Sequence, residues 1–237
     1  EPILPLGLLA SSTHTAANVA RGLVYASMYG MFFYLGQYLQ DVQGYSPLRA
    51  GLAFLPVPAS VFLSSQLTSR VLVGRIAARP LMLAGITSSL VSLLALTQLG
   101  SHASYGQLVV SLVLMGVGAG TSLVTLTTAS LAGVAPHEAG AASGLVNVFQ
   151  QVGAALGLAV LVTVSGAAGA PAAAHAVGAS FRGLDVVFAA SAAFALAALV
   201  LVATAVRLPA TAPVGDEAVV VELPADDDPW LVDDAVA

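Results

Sequence analysis

Six apolar stretches, near residues 18–40, 50–73, 81–99, 107–130, 141–165 and 185–206, occupy most of this 237-residue chain. Each is long enough to cross a bilayer, whose hydrocarbon layer of about 30 Å takes about 20 apolar residues per helical crossing. None contains a lysine, and acidic residues fall only at their edges. Hydrophobic residues make up 58% of the chain and charged residues 8%, against about 25% charged in an ordinary soluble domain, so the solvent of this chain is lipid. In lipid an unpaired backbone group is so costly that only helices or a closed barrel can span. Barrel strands alternate apolar and polar residues and these runs do not. The sequence therefore predicts an all-α integral membrane protein of six transmembrane helices.

Three segments follow: a lead-in over 1–17, the six-span body over 18–207, and a tail over 208–237. Eight of the twelve acids lie after residue 207, so the tail reads as acidic, disordered and solvated. Trp230 within it is either incidental or a docking residue. The absence of cysteine excludes disulfides and thiol chemistry. The chain begins at Glu1 with no basic, cleavable leader ahead of the first apolar run, and reads as a fragment that lacks its natural beginning.

Arginine in short loops marks the cytoplasmic side. With the 74–80 loop inside, Arg21, Arg70, Arg75, Arg79 and Arg207 are cytoplasmic, and Arg49 and Arg182 are outside. This predicts a multi-pass protein of the cell membrane with both ends of the fragment in the cytoplasm.

In the first span, Asn18, Arg21, Tyr25, Tyr29, Phe32, Gly36 and Gln40 recur at three- and four-residue steps and share a helix face. Such a stripe suits either a cavity for bulky amphipathic or cationic molecules or a seam between helices. Ser143, Asn147, Gln150 and Gln151 share a face of the fifth span, as cavity lining or as hydrogen-bonding partners of other helices. Gly153 and Gly157 form a small-xxx-small pair suited to close helix approach. Gly116, Gly118 and Gly120 lack the strand and downstream acid of a nucleotide fingerprint, so packing or bending explains them. Pro56 and Pro58 sit inside the second span and are expected to bend or loosen it. The third and sixth spans carry almost no polar side chains beyond Ser and Thr and suit peripheral positions.

Enzymatic and metal chemistry find no support in these residues. His137 and Glu138 start like a zinc-protease motif, but Ala141 stands where its second histidine belongs. Ser143 has no histidine within a neighbouring span to activate it. No metal, cofactor or nucleic-acid partner is expected.

Four segments resemble the major facilitator superfamily, in particular the carboxyl-terminal half of fourteen-span drug:proton antiporters of the EmrB/QacA type. They are YLQDVQGYSPLRAGLAFLP (38–56), SRVLVGRIAARPLMLAG (69–85), LVLMGVGAGTSLVTLT (112–127) and LAGVAPHEAGAASGLVNVFQQVGAALGLAV (131–160). The resemblance implies one bundle of two inverted three-helix repeats, packed against a missing amino-terminal bundle of the same protein across a small-molecule cavity. It implies that the first, second, fourth and fifth spans border the cavity. The loop with Arg70, Arg75 and Arg79 resembles a degenerate copy of the family's Gly-x-x-x-Asp-Arg-x-Gly-Arg motif, with Gly74 in place of Asp and Ala77 in place of Gly. These arginines are read as topology determinants, or as latches onto helix ends or onto acids of the other bundle. The implied function is bacterial multidrug efflux, conferring antibiotic resistance: export of small hydrophobic or cationic compounds by alternating access, driven by the proton-motive force with no other cofactor. The proton-carrying carboxylates are then expected in the absent half, because none lies mid-span here. The alternative is a non-transporting six-span fragment or scaffold.

Overall fold

The computed structural model describes residues 12–73, 75–99, 104–132, 134, 138–167 and 184–206. Residues 1–11, Gly74, Ser101, His137, Pro171, Arg182, Arg207 and the 208–237 tail with Trp230 lie outside the described residues. Seven α-helices build the described chain: α1 (Ser12–Gln37), α2 (Pro47–Ala53), α3 (Pro56–Leu67), α4 (Ala78–Leu96), α5 (Tyr105–Leu131), α6 (Ala139–Ala167) and α7 (Leu184–Ala205). Short π-helical turns extend α1 over Tyr38–Val42 and α3 over Thr68–Leu72.

Five helical segments, Pro47–Leu72, α4, α5, α6 and α7, are long and apolar enough to cross a membrane. The sixth crossing is α1, whose 26 residues extend for about 39 Å at 1.5 Å per residue. Its polar and aromatic stripe lowers its hydropathy, and it lies at the centre, packed against α5, α6 and α7.

The second crossing is broken rather than bent in mid-helix. α2 begins at Pro47 under an Ser46 cap whose side chain accepts from the Arg49 backbone N–H, and it ends at Phe54. After the Phe54–Leu55 turn, Pro56 opens α3 at a position where its missing N–H removes no helical bond. Both prolines lie inside the second crossing, in the first turn of α3, and the helix breaks at Phe54–Leu55 just ahead of them. α5 starts with a capping box, Ser104 and Gln107 bonding each other's backbone N–H.

The packing follows an internal exchange. α1 packs on α6 and α7, α5 packs on α3 and α4, and the two triplets meet through α1 against α5 and α4 against α7. Exchanging α1 with α5, α2–α3 with α6 and α4 with α7 maps these contacts onto one another. Two repeats of three crossings each must run in opposite directions through the bilayer, because three is odd.

Small residues make the closest crossings. Gly22 and Ala26 of α1 meet Gly153 and Gly157 of α6, where an added Cβ would run into backbone. Gly116 and Gly120 of α5 meet Ser60 and Ser64 of α3 in the equivalent place. All four pairs are spaced by four residues, the small-xxx-small pattern that lets helix backbones approach in lipid. α4 and α5 add hydroxyl links, Ser88 Oγ donating to Leu114 O at 2.8 Å and Ser92 Oγ to Ser111 O at 2.6 Å.

Two cores fill the bundle. At the end where α1 starts, alanine is the commonest buried residue, at Ala16, Ala17, Ala20, Ala129 and Ala198, among Val24, Met82, Ile86, Leu126, Val202 and Val206. At the far end the buried residues include the large Met31, Tyr38, Leu93, Leu112, Met115 and Phe188.

The helices differ in cover. Of the most apolar window of each crossing, 56% is buried in α5 and 44% in α4, but only 28% in Pro47–Leu72 and 22% in α6. The second and fifth crossings are therefore the least enclosed. The third and sixth, expected at the periphery, are better enclosed within this bundle, because α4 and α7 pack on each other and on α5 and α1 respectively.

Candidate substrate cavity

The polar stripe of α1 runs from the interior to an open face. Asn18 and Arg21 are buried, Tyr25 and Phe32 are half-buried, and Tyr29 is 42% exposed. Gly36 is half-buried and Gln40 exposed, Nε2 of Gln40 turning back to Gly36 O at 3.3 Å. Tyr25 and Tyr29 lie tilted with ring centroids 6.2 Å apart, and Phe32 packs on Phe54 at 5.2 Å. The stripe is thus packed between helices at its beginning and an exposed aromatic surface further on.

Arg21 is the joint of three helices. Its Nη1 donates to Leu123 O of α5 at 3.3 Å and to Thr127 Oγ1, and its Nη2 donates to Gln150 Oε1 of α6 at 3.1 Å. Its guanidinium carbon lies 5.5 Å from the Tyr25 ring centroid. All these partners are neutral. The described acids, Asp41, Glu138 and Asp185, stand at helix ends and none bonds to it. A cation held inside a membrane costs about 2.5–3.5 kcal/mol even on insertion scales that allow relaxation. Arg21 is buried between helices rather than standing in a loop.

The four polar residues of α6 divide. Gln150 is tied to Arg21, whereas Ser143, Asn147 and Gln151 are exposed. Asn147 Nδ2 turns to Ser143 O of its own helix at 3.2 Å. No described helix covers these three, so they face out of this bundle rather than bonding within it. A second exposed stripe of α6, Val148, Val152, Leu156 and Val160, is wholly apolar. It borders an apolar groove of about 230 Å³ with Gly22, Ala26 and Phe194. The helix thus shows a polar face and a greasy face, both open.

Gly153 and Gly157 pack on α1, and Gly116 and Gly120 on α3. Pro56 is half-buried and Pro58 exposed, both within the first turn of α3. In the arginine loop, Arg70 and Arg75 are exposed and Arg79 Nη2 donates to Ala203 O in the last turn of α7. A cation there also meets the negative end of the helix dipole. Arg79 is a latch within this bundle, a contact that sequence gave no means to locate. The same holds for Tyr34, whose hydroxyl donates to Ser165 Oγ at 2.9 Å and joins α1 to α6 at the far end.

The sequence profile of the Major Facilitator Superfamily matches residues 2–158. This chain belongs to that superfamily. Among similar proteins are the puromycin resistance protein of Streptomyces alboniger, 35% identical over 164 residues, and the multidrug resistance protein Stp of Mycobacterium tuberculosis, 36% identical over 161. The tetracenomycin C resistance and export protein of Streptomyces glaucescens is 29% identical over 161 residues. These matches cover 68% of this chain and 33%, 30% and 30% of those proteins, so the chain spans about a third of the length of the curated relatives it matches. The superfamily match and the long apolar helices agree on a multi-pass membrane bundle. The exchange of α1–α4 with α5–α7 is the two-repeat architecture expected from the resemblance.

Proposed function

We propose that this chain is the carboxyl-terminal half of a proton-coupled multidrug efflux transporter, which exports small hydrophobic or cationic compounds by alternating access. The observation that carries this reading is the exposure of polar and aromatic side chains on two neighbouring helices, Tyr29 of α1 and Ser143, Asn147 and Gln151 of α6. Exposed amides in a membrane call for water or a partner, and a substrate cavity between two bundles offers both. Relatives named for puromycin, multidrug and tetracenomycin C resistance support a drug as the passenger. The α6 and α2–α3 crossings, the least enclosed, then lie against the partner bundle of the same protein. The proton-carrying carboxylates belong to that partner, since the acids described here stand at helix ends.

The full-length protein reconstituted in proteoliposomes is expected to move ethidium only when a proton gradient is imposed, and uptake that persists without the gradient would reject antiport. The proposed orientation places the arginine loop and both ends of the fragment in the cytoplasm. The chain has no native cysteine, so a single cysteine at Ser101 should react with an impermeant maleimide in intact cells, and one at Ala77 should react only after permeabilisation. The opposite labelling pattern would invert the topology.

A further inference from the structure

We infer that Arg21 is the cationic anchor of a subsite for acidic groups, so that the cavity takes amphipathic molecules bearing a carboxylate as well as the neutral and cationic ones. This rests on the export reading above and narrows it to a substrate class. Arg21 is 8% exposed, and its three hydrogen bonds use neutral oxygens of α5 and α6. Those bonds satisfy donors without cancelling the charge, and a buried charge favours a nearby opposite one strongly.

The donor inventory of Arg21 leaves one of its bonds unmade among the described residues. A guanidinium carries five N–H donors, and Nε of Arg21 is buried with no partner among the described residues. Nε–H and an Nη2–H form the edge that a carboxylate grips with two parallel bonds. The Asn18 side chain, 3% exposed and one helical turn away, leaves its Oδ1, an acceptor, without a partner among the described residues, so a ligand that reaches Arg21 also meets an oxygen that only a donor of its own can satisfy.

The approach to this edge is aromatic. Tyr25 stacks on the guanidinium, and Tyr29 continues the surface outward to the open face. A molecule with a flat apolar body and an acidic end would cover both rings while its anion meets Arg21. An acidic side chain from the partner bundle would neutralise the charge but leave the rings bare, which is why the substrate is the favoured source of the anion.

Binding is measured on the purified full-length protein in detergent by fluorescence anisotropy, with carboxyfluorescein as the acid and ethidium as the cation. Arg21→Gln is expected to raise the Kd for carboxyfluorescein at least tenfold relative to that for ethidium, and Arg21→Lys, which keeps the charge but loses the two-pronged grip, to raise it less. Equal weakening of both dyes would mark Arg21 as a clasp or as the partner of an acid in the other bundle, and would overturn the proposal, as would no change for either. If Arg21→Gln does not reach the membrane, Arg21→Lys decides on the same ratio, and a ratio equal to wild type overturns the subsite. A wild type that binds carboxyfluorescein through Arg21 but exports neither dye from vesicles would refute the export reading while the subsite stands.

Discussion

Gly153→Leu is expected to reduce folded protein in the membrane to less than a tenth of the wild-type level, read as the monodisperse peak in fluorescence-detected size-exclusion chromatography. A Cβ at position 153 would overlap the backbone of Gly22, and backbone cannot rotate aside as a side chain can. Overpacking of a tight contact costs about 1–3 kcal/mol even where side chains yield, and stabilities of native proteins are about 5–15 kcal/mol in total. The cost at 153 lies above that range because the helices themselves must separate, and their separation also strains the Gly157–Ala26 contact one turn on. Gly120→Leu should behave alike, since it would press on Ser64 and on Val61 O of α3. Gly144→Leu is the control: nothing lies within 4 Å of its would-be Cβ, and its level should match wild type. A stable Gly153→Leu protein would mean that α1 and α6 do not cross where described.

Asn147→Trp is expected to leave the amount of protein unchanged while lowering ethidium export at least tenfold. The side chain is exposed and its hydrogen bond is to its own helix, so the bundle loses nothing by the change. The indole would instead fill the space that the polar face of α6 borders. Val152→Trp, on the apolar stripe of the same helix and 48% exposed, should stay within threefold of wild type, because lipid chains rearrange around added bulk. The pair therefore reports which face of α6 meets the cavity. Full export by Asn147→Trp together with a block by Val152→Trp would assign the faces the other way round.

Much of this architecture was legible because lipid admits so few solutions. Five of the apolar runs coincide with helices whose length and hydropathy suffice to span, and the first run, lowered by its polar stripe, forms the long helix α1. The small-residue pairs were readable for the same reason: Gly153 and Gly157 at a four-residue spacing have little other use in a membrane helix. Pro56 and Pro58 marked an irregularity in the second span, but the turn at Phe54–Leu55 itself was concealed in a long apolar run; hydropathy reports where lipid is, and says nothing of whether the backbone pauses there. For Arg21 the sequence left a cavity and a seam open, and its hydrogen bonds were set by Thr127 and Gln150, more than a hundred residues away in sequence. The amides of α6 were identifiable as a face, but which of them turns into the bundle depended on the packing of α1, and only Gln150 does.

The unequal filling of the two ends of the bundle carries an evolutionary consequence. Where alanines already form the contacts, at Ala16, Ala20, Ala129 and Ala198, sequence drift has little to trim at those positions and harms chiefly by adding bulk. Around Met31, Tyr38, Met115 and Phe188 the hazard is reversed, and shortening a side chain opens a void. Tolerated replacements should therefore change character along the membrane normal, enlargements being purged at one depth and truncations at the other.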